Sequence, residues 1–324
     1  IMYFSQKNSF FHGIMFHHFH DEISHKKSAG SINKDQFYKL LKFIGLENIL
    51  NAEDFILRFK EKKLTEKNVC ITMDDALRCQ YDVALPILED LQIKGFFFVY
   101  SSILTGEPDL LEVCRYFRTN FFKNVNDFYD SFYLEINQDL SNFLKQKKED
   151  IDNFLKIYPM HGMEDAKFIH IRDQFLSLKN YHKVMKNMFH KKKFNPANHY
   201  DNLLMNEKNL IELDSLGHKI GLHSDSHPTL FEELTYEEQK SEYTINIAAL
   251  NNKFKDHNIK INSMSHPCGS YNEDTLKILN DLNLDIGFRS NIHVEFKKKM
   301  KKINNSCFEI AREDHSNIIK LMKL

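Results

Sequence analysis

Along this chain, short apolar runs that break off in polar or charged residues alternate with stretches whose apolar positions return every three or four residues. Val69-Cys70-Ile71-Thr72-Met73 reads as a strand ending in Asp74-Asp75, and Lys219-Ile220-Gly221-Leu222 as one ending in His223. Gly13-Ile14-Met15-Phe16 running into His17-His18, and the phenylalanine-rich stretch 95–100, have the same form. Shorter strands are expected near 261–265, 286–289 and 308–310. Between the strands, Phe37, Leu40, Leu41 and Ile44 form a helical stripe behind a capping signature at 31–37. Val83, Leu85, Ile87, Leu88 and Leu91 form another. Helices are expected again over 206–216, with Gly217 as C-cap, over 236–254 and over 273–282. This alternation implies parallel strand pairing, in an open sheet or a barrel.

From about 109 to 202 the pattern changes. Helical stripes run through Phe117, Phe121, Phe128, Phe132 and Leu134, then over 151–157 and 169–188, and no strand is expected. Pro, Gly and Ser are sparse there, which marks a helical insertion or subdomain rather than a linker. No internal repeat is found.

Composition narrows the class. With 324 residues the chain is one large domain or two, and 42% hydrophobic content supports a substantial core. A formal net charge of -1 argues against nucleic acid or an anionic membrane as partner. No run approaches the ~18 apolar residues of a membrane span. Tryptophan is absent, so any sugar stacking falls to Tyr, Phe or His. The five cysteines (Cys70, Cys79, Cys114, Cys268 and Cys307) are odd in number and scattered, which suggests reduced thiols. The first eleven residues carry no apolar stretch with a small-residue cleavage site, so a cytoplasmic enzyme is the expectation.

The candidate chemistry lies in two clusters far apart in sequence, Asp74-Asp75 and His223-Ser-Asp-Ser-His227. Two imidazoles and one carboxylate can hold a divalent metal on three sides and leave a position open for water. The second carboxylate is then free to act as a base, which points to metal-assisted hydrolysis. Each cluster also has a plainer reading. Adjacent aspartates can cap a helix, the histidines can be ordinary loop residues, and the 265–272 run can be a turn that caps the next helix. What favours chemistry is position: Asp74-Asp75, His223, Pro267 and Arg289 all fall at C-terminal ends of expected strands, where parallel α/β folds build their sites.

Three segments carry a family resemblance: Thr72-Met73-Asp74-Asp75-Ala76, His223 to Pro228, and Pro267-Cys268-Gly269-Ser270-Tyr271-Asn272. They resemble the first three motifs of the polysaccharide deacetylases of the NodB-homology type, carbohydrate esterase family 4. The likeness covers about 12–105 and 205–315. It implies a distorted (β/α)7 TIM-like barrel, a single domain over 1–324 with the helical insertion at about 109–202 between the first and second motifs. It also implies a metal on Asp75, His223 and His227, usually zinc, with cobalt, nickel or manganese accepted. Asp74 would be the catalytic base, and the Cys268 backbone N–H would take the oxyanion. The reaction implied is removal of an N-acetyl group from an amino sugar or glycan, in cell-surface glycan biosynthesis, with neither nucleic acid nor a membrane span involved.

The chain departs from the family pattern at several points. Ala76 replaces a glycine, and Ser265 stands where an arginine often precedes the third motif's proline. Arg289 is then the candidate cation to hold Asp74 ionised. The family's late Leu-x-His motif is not recognisable; His315 is the candidate acid, with His17 and His18 as rivals. His17, Pro267, Cys268, Gly269, Tyr271 and Arg289 are the expected substrate contacts. The lysine-rich stretch 296–302 reads as a solvated loop, or as a contact for an anionic sugar. Competing functions are another amidohydrolase on the same fold (a deformylase or non-sugar amidase), a 2-His-1-carboxylate iron oxygenase, and a carbohydrate-binding homologue without catalysis. Oligomeric state is open.

Overall fold

The computed structural model describes residues 3–5, 10–106, 108, 110–157 and 161–323. Asp109, where the sequence starts the helical stretch, lies outside the described residues, as do 1, 2 and 6–9 of the opening eleven. The chain divides into two units, one of residues 1–21, 32–109 and 204–324, the other of 22–31 and 110–203.

In chain order the first unit begins with β1 (His12–Phe16), α1 (Lys34–Ile44), α2 (Ala52–Lys60), β2 (Val69–Met73), α3 (Leu85–Asp90) and β3 (Phe96–Val99). The elements of the second unit are helices: α4 (Leu110–Asn120), α5 (Val125–Ile136), α6 (Ser141–Gln146), α7 (Lys148–Ile157), α8 (Met163–His170), α9 (Leu178–Lys191) and α10 (Tyr200–Leu203). The first unit resumes with α11 (Glu207–Ser215), β4 (Lys219–Leu222), α12 (Tyr236–Lys253), β5 (Ser263–Ser265), α13 (Glu273–Asp281), β6 (Ile286–Phe288), β7 (Arg312–Asp314) and α14 (His315–Met322). Local chemistry sets the helix starts. Asn33 with Gln36, Asn206 with Asn209, Thr235 with Glu238 and Asn272 with Thr275 each close a capping box, which satisfies orphan N–H groups at both ends of the exchange.

All seven strands are parallel, in the order β6-β5-β4-β3-β2-β1-β7. Ile310 bridges back to Phe288, so the sheet nearly closes into the expected distorted (β/α)7 barrel. β1, β2 and β3 are buried along their whole length, as their unbroken apolar runs require of strands covered on both faces. Phe96, Phe98 and Phe288 pack inside with centroids 5.2 to 5.9 Å apart. Such pairs add about 0.5–1.5 kcal/mol each beyond the area they bury.

The last strand departs from expectation. The apolar residues at 308–310 make only the closing bridge, whereas the strand proper is Arg312-Glu313-Asp314, paired with Gly13, Ile14 and Met15. A charged triplet reads as loop, yet the barrel interior provides this arginine with partners. Helices α2 and α14 were not expected either.

In the second unit Phe117, Phe128, Phe132, Phe168, Met185 and Phe189 form an aromatic core of their own. Among the described residues, none of the five cysteines is in a disulfide. Among the described residues, no helix is long and apolar enough to cross a membrane.

Candidate active site

β2 delivers two carboxylates at its C-terminal end. The Asp74 N–H still donates to the Phe16 carbonyl of β1, at 3.2 Å, so the chain leaves the sheet only after this residue. Asp75 and Ala76 then adopt left-handed backbone, φ 75° and 49°. Gln80, fully buried, ties the turn down by donating to the Asp74 and His17 carbonyls at 2.6 and 3.0 Å. β4 brings the imidazoles to the same edge. The His223 N–H donates to the Val99 carbonyl and to Asn246 Oδ1, 3.2 and 3.0 Å. Beyond it the chain doubles back through Ser224 and His227, both left-handed at φ 64° and 53°. Glu242 clamps this loop by accepting the N–H groups of Asp225 and Ser226 at 2.9 and 2.8 Å. Left-handed non-glycine backbone stores strain of order 1–3 kcal/mol per residue, characteristic of positions fixed by function.

Asp75, His223 and His227 meet inside this frame. Asp75 Oδ1 lies 3.3 Å from His223 Nε2 and 3.2 Å from His227 Nε2, and the two Nε2 atoms are 3.2 Å apart. His223 Nδ1 faces the Ser265 carbonyl at 2.8 Å, so Nδ1 carries the proton and Nε2 presents a lone pair. Asp75 Oδ1 is buried and has no hydrogen-bond donor. Electron-rich atoms crowded this closely repel unless a cation lies between them. Ligands ~2.0–2.1 Å from a tetrahedral zinc stand about 3.3 Å apart, which matches these separations. The residues therefore fit a divalent metal, and they form the one such His/Cys/Asp/Glu group among the described residues.

Asp74 is held differently. Arg312 donates through Nη1 to Oδ1 at 2.6 Å and through Nη2 to Oδ2 at 2.7 Å, a buried two-pronged pair. Ser265 Oγ accepts from Arg312 Nη2 at 2.9 Å and donates to Asp74 Oδ2 at 3.2 Å. Burial pushes the Asp74 carboxyl up, but Arg312, helped by His223 and His17, holds it below the usual carboxylate range. Asp75 is held well below that range: burial raises it, and His227, His223 and His17 overcome the rise. Gly13 makes this possible, since a Cβ there would sit 3.0 Å from Arg312 Cγ.

The cation role expected of Arg289 thus belongs to Arg312. Arg289 is buried and its Nη1 instead donates to Asn291 Oδ1 and the His293 carbonyl, at 3.1 and 2.5 Å. Its backbone carbonyl accepts from Arg312 Nε at 2.7 Å, so it supports the pair without touching Asp74. Arg312 was within reach of sequence reasoning: it stands two residues past the strand expected at 308–310, and the other clusters were singled out for lying at such ends. Asn246, Glu242 and Gln80 gave no such signal, because their roles are hydrogen bonds to loops whose shape the sequence does not state.

Among the rival imidazoles, His17 lies against both carboxylates. Its Nε2 is 3.7 Å from Asp74 Oδ2 and 4.0 Å from Asp75 Oδ2, and its side chain is 30% exposed where theirs are at most 5%. His315 is buried, stacked on Phe16 at 5.3 Å, with Nδ1 at 3.3 Å from the Met15 carbonyl. That is a packing position under β1, and it does not support the acid role considered for it.

The third segment forms a tight turn, Pro267–Gly269, beside the Asp74–Ser265 contact. Cys268 is exposed, at φ 51°. Gly269 has φ 67°, and a Cβ there would collide with Ser290 Oγ, so only glycine fits. Tyr271 does not offer itself as a substrate contact as expected. It is buried, its hydroxyl donates to Glu309 Oε1 at 3.1 Å, and His266 stacks on its ring at 4.1 Å. The lysine-rich stretch is not wholly solvated either: Lys298 Nζ sits 3.9 Å from the Tyr271 ring centroid and donates to the Gly269 carbonyl at 2.8 Å.

Comparison with known proteins agrees with this reading of the fold. Residues 173–287 match the sequence profile of the polysaccharide deacetylase family. The solved structure of the Streptococcus pyogenes deacetylase PplD in complex with acetate superposes with a TM-score of 0.54 at 16% identity, over 97% of this chain and 98% of that one. IcaB from Ammonifex degensii gives 0.52 at 12% identity, over 95% and 91%. A de-N-acetylase from Aggregatibacter actinomycetemcomitans gives 0.52 at 13%, over 96% and 98%. At such identities the structural likeness speaks for the fold. No match was found among curated proteins. The barrel expected from the sequence motifs is borne out, and the family profile matches about a third of the chain.

Proposed function

From its kinship with the polysaccharide deacetylases, we propose that this chain is a metal-dependent hydrolase that removes N-acetyl groups from amino sugars of a glycan. The observation that carries the proposal is the trio of facing ligand atoms, Asp75 Oδ1, His223 Nε2 and His227 Nε2, next to an arginine-paired carboxylate, Asp74. Two imidazoles and one carboxylate with a fourth side open are the donor set of a catalytic zinc, so zinc is the metal proposed. When bound, such an ion supplies Lewis acidity and lowers the pKa of coordinated water from ~15.7 toward 7.

This chain's residues would do the rest. Asp74, kept ionised by Arg312, would take a proton from the attacking water. The Cys268 N–H, on a turn fixed by Gly269 and Lys298, would donate to the developing oxyanion; one such donor is typically worth about 3–4 kcal/mol of barrier. His17, the solvent-reachable imidazole against both carboxylates, would hand a proton to the departing amine, which cannot leave as an anion. The products are acetate and a free amino sugar. The setting proposed, a cell-surface glycan or its precursor, rests on kinship alone.

The test is acetate release by zinc- or cobalt-loaded protein from a panel of N-acetylated sugars, with N-formyl analogues alongside. Stoichiometric metal with no acetate from any substrate would overturn the proposal, and formate release alone would point to a deformylase.

A further inference from the structure

A cavity of about 540 Å³ opens within the second unit, lined by the segment 26–29 and by residues of α4, α5 and α8. Its size falls within the ~300–1,000 Å³ of small-molecule sites. Four of its lining side chains are cationic: Lys26, Lys27, Arg118 and Lys123. In a chain whose formal net charge is -1, this concentration of positive charge is local.

Arg118, on α4, is the informative residue. Its side chain is only 15% exposed, and its guanidinium carbon lies 5.9 and 5.5 Å from the ring centroids of Phe128 and Phe168. Nη1 donates to Asp165 Oδ1 at 3.0 Å. Among the described residues no other acceptor meets this guanidinium, although it carries five N–H donors. A buried carboxylate and two rings thus fix a fork most of whose donors have no partner in the protein.

The acids that line the cavity are already engaged. Besides Arg118, Asp165 accepts from the Tyr129 hydroxyl at 2.9 Å and pairs with His161 Nδ1. Glu164 accepts from Lys167 Nζ at 2.6 Å and from the Tyr133 hydroxyl at 3.0 Å. Lys26, Lys27 and Lys123 have no carboxylate partner among the described residues. The lysine segment is held in place as well. Arg115 Nη2 donates to the Ala29 carbonyl at 2.7 Å, and Ser31 Oγ closes a turn on the Ser28 N–H and carbonyl at 2.9 and 2.8 Å.

A phosphate group suits this setting better than a carboxylate. It brings a charge of about −1.5 to −2 at pH 7 and several strong acceptor oxygens, which a planar fork and ammonium groups can share. Val125 and Met163, each 46% exposed, line the same cavity and offer apolar contact to the organic part of an ester.

We propose that this cavity binds a small molecule through a phosphate or diphosphate ester, which Arg118 grips with its fork and Lys26, Lys27 and Lys123 neutralise. The site shares no residue with the metal trio and is measured by binding, so it stands or falls apart from the hydrolase reading.

Calorimetric titration of the full chain with inorganic pyrophosphate, without added metal, tests it. Wild type should bind saturably. Lys26→Gln/Lys27→Gln/Lys123→Gln should weaken binding by about tenfold or more, the worth of three surface ion pairs. Those lysines are exposed, so this variant should melt with wild type. Arg118→Lys, which keeps a charge beside Asp165 but loses the fork, should also weaken binding by about tenfold, the worth of one charge-assisted hydrogen bond. Lys67→Gln/Lys208→Gln/Lys255→Gln, which removes the same charge from exposed positions outside the cavity, should bind as wild type does. Equal weakening in both triple variants would reduce the effect to net charge and overturn the site, as would a wild type that shows no saturable binding. Binding to phosphatidic acid vesicles without binding to pyrophosphate would overturn it too, in favour of a membrane surface.

Discussion

Arg312 grips Asp74 with both terminal nitrogens, at 2.6 and 2.7 Å, from 238 positions further along the chain. The pair crosses the barrel interior, with the guanidinium 6.0 Å from the Phe98 ring and Gly13 leaving room for its stem. Removing one partner of a buried ion pair strands the other charge and costs about 3–5 kcal/mol. Arg312→Met should therefore lower stability by that amount in urea unfolding and abolish acetate release. Arg312→Lys, which keeps the charge but loses the fork, should recover part of the stability and little of the activity. A Met variant as stable as wild type would show that the pair does not organise the site.

Metal binding should be visible without turnover. Asp75 and His227 both hold left-handed backbone, and three ligand atoms stand within 3.3 Å of one another, so the site is strained and self-repelling until a cation enters. A ligand that binds only the folded state stabilises it by about 2.7 kcal/mol at a hundredfold excess over Kd. Zinc should raise the melting temperature of wild type, and a chelator should reverse the gain. His227→Ala should lose both the shift and the zinc found by elemental analysis. An undiminished zinc content would remove His227 from the ligand set.

The two candidate acids are separable by leaving group. An amide needs its amine protonated, whereas an activated aryl ester does not. Positioned general-acid catalysis typically contributes 10²–10⁴-fold. His17→Asn should lose about that much on N-acetyl sugars and hydrolyse 4-nitrophenyl acetate close to the wild-type rate. His315→Phe, which preserves the stack on Phe16, should leave both reactions nearly intact. The opposite pattern would return the acid role to His315.

What the sequence disclosed, and what it withheld, follows from these contacts. β2 and β4 were legible to the residue because their apolar runs stop abruptly at the groups they carry, Asp74-Asp75 and His223. Helix α1 was legible through its capping pair, Asn33 with Gln36. β7 was not: Arg312-Glu313-Asp314 has no apolar pattern, since its arginine points at a carboxylate rather than into a greasy core. Arg289 follows the last residue of β6 whereas Arg312 opens β7, and only the barrel's closure decides which reaches Asp74. Tyr271 read as a substrate contact because nothing local reveals that Glu309 and Lys298 cover it.

Acid sensitivity should originate partly far from the site, at His218. The Gly95 N–H donates to its Nδ1 at 3.0 Å, which requires Nδ1 to be unprotonated, and its Nε2–H faces Glu89 Oε1 at 2.9 Å. Burial lowers this imidazole to about 4, against the opposing pull of Glu89. A folded-state pKa below the unfolded value of about 6.5 means the unfolded chain takes up a proton first as pH falls. The contribution is thus fully present above about 6.5 and drains away between there and about 4, reaching a loss of about 2 kcal/mol at pH 5. Protonation would also break the Gly95 contact at the entry to β3. His12 and His266, lowered to about 4 and about 3 by burial, act with the same sign, so the comparison must be differential. His218→Gln can keep both hydrogen bonds but cannot titrate. Its deficit against wild type in urea unfolding should narrow by about 2 kcal/mol between pH 7 and pH 5. A gap that stays constant across that range would mean that His218 titrates alike in the folded and unfolded chain.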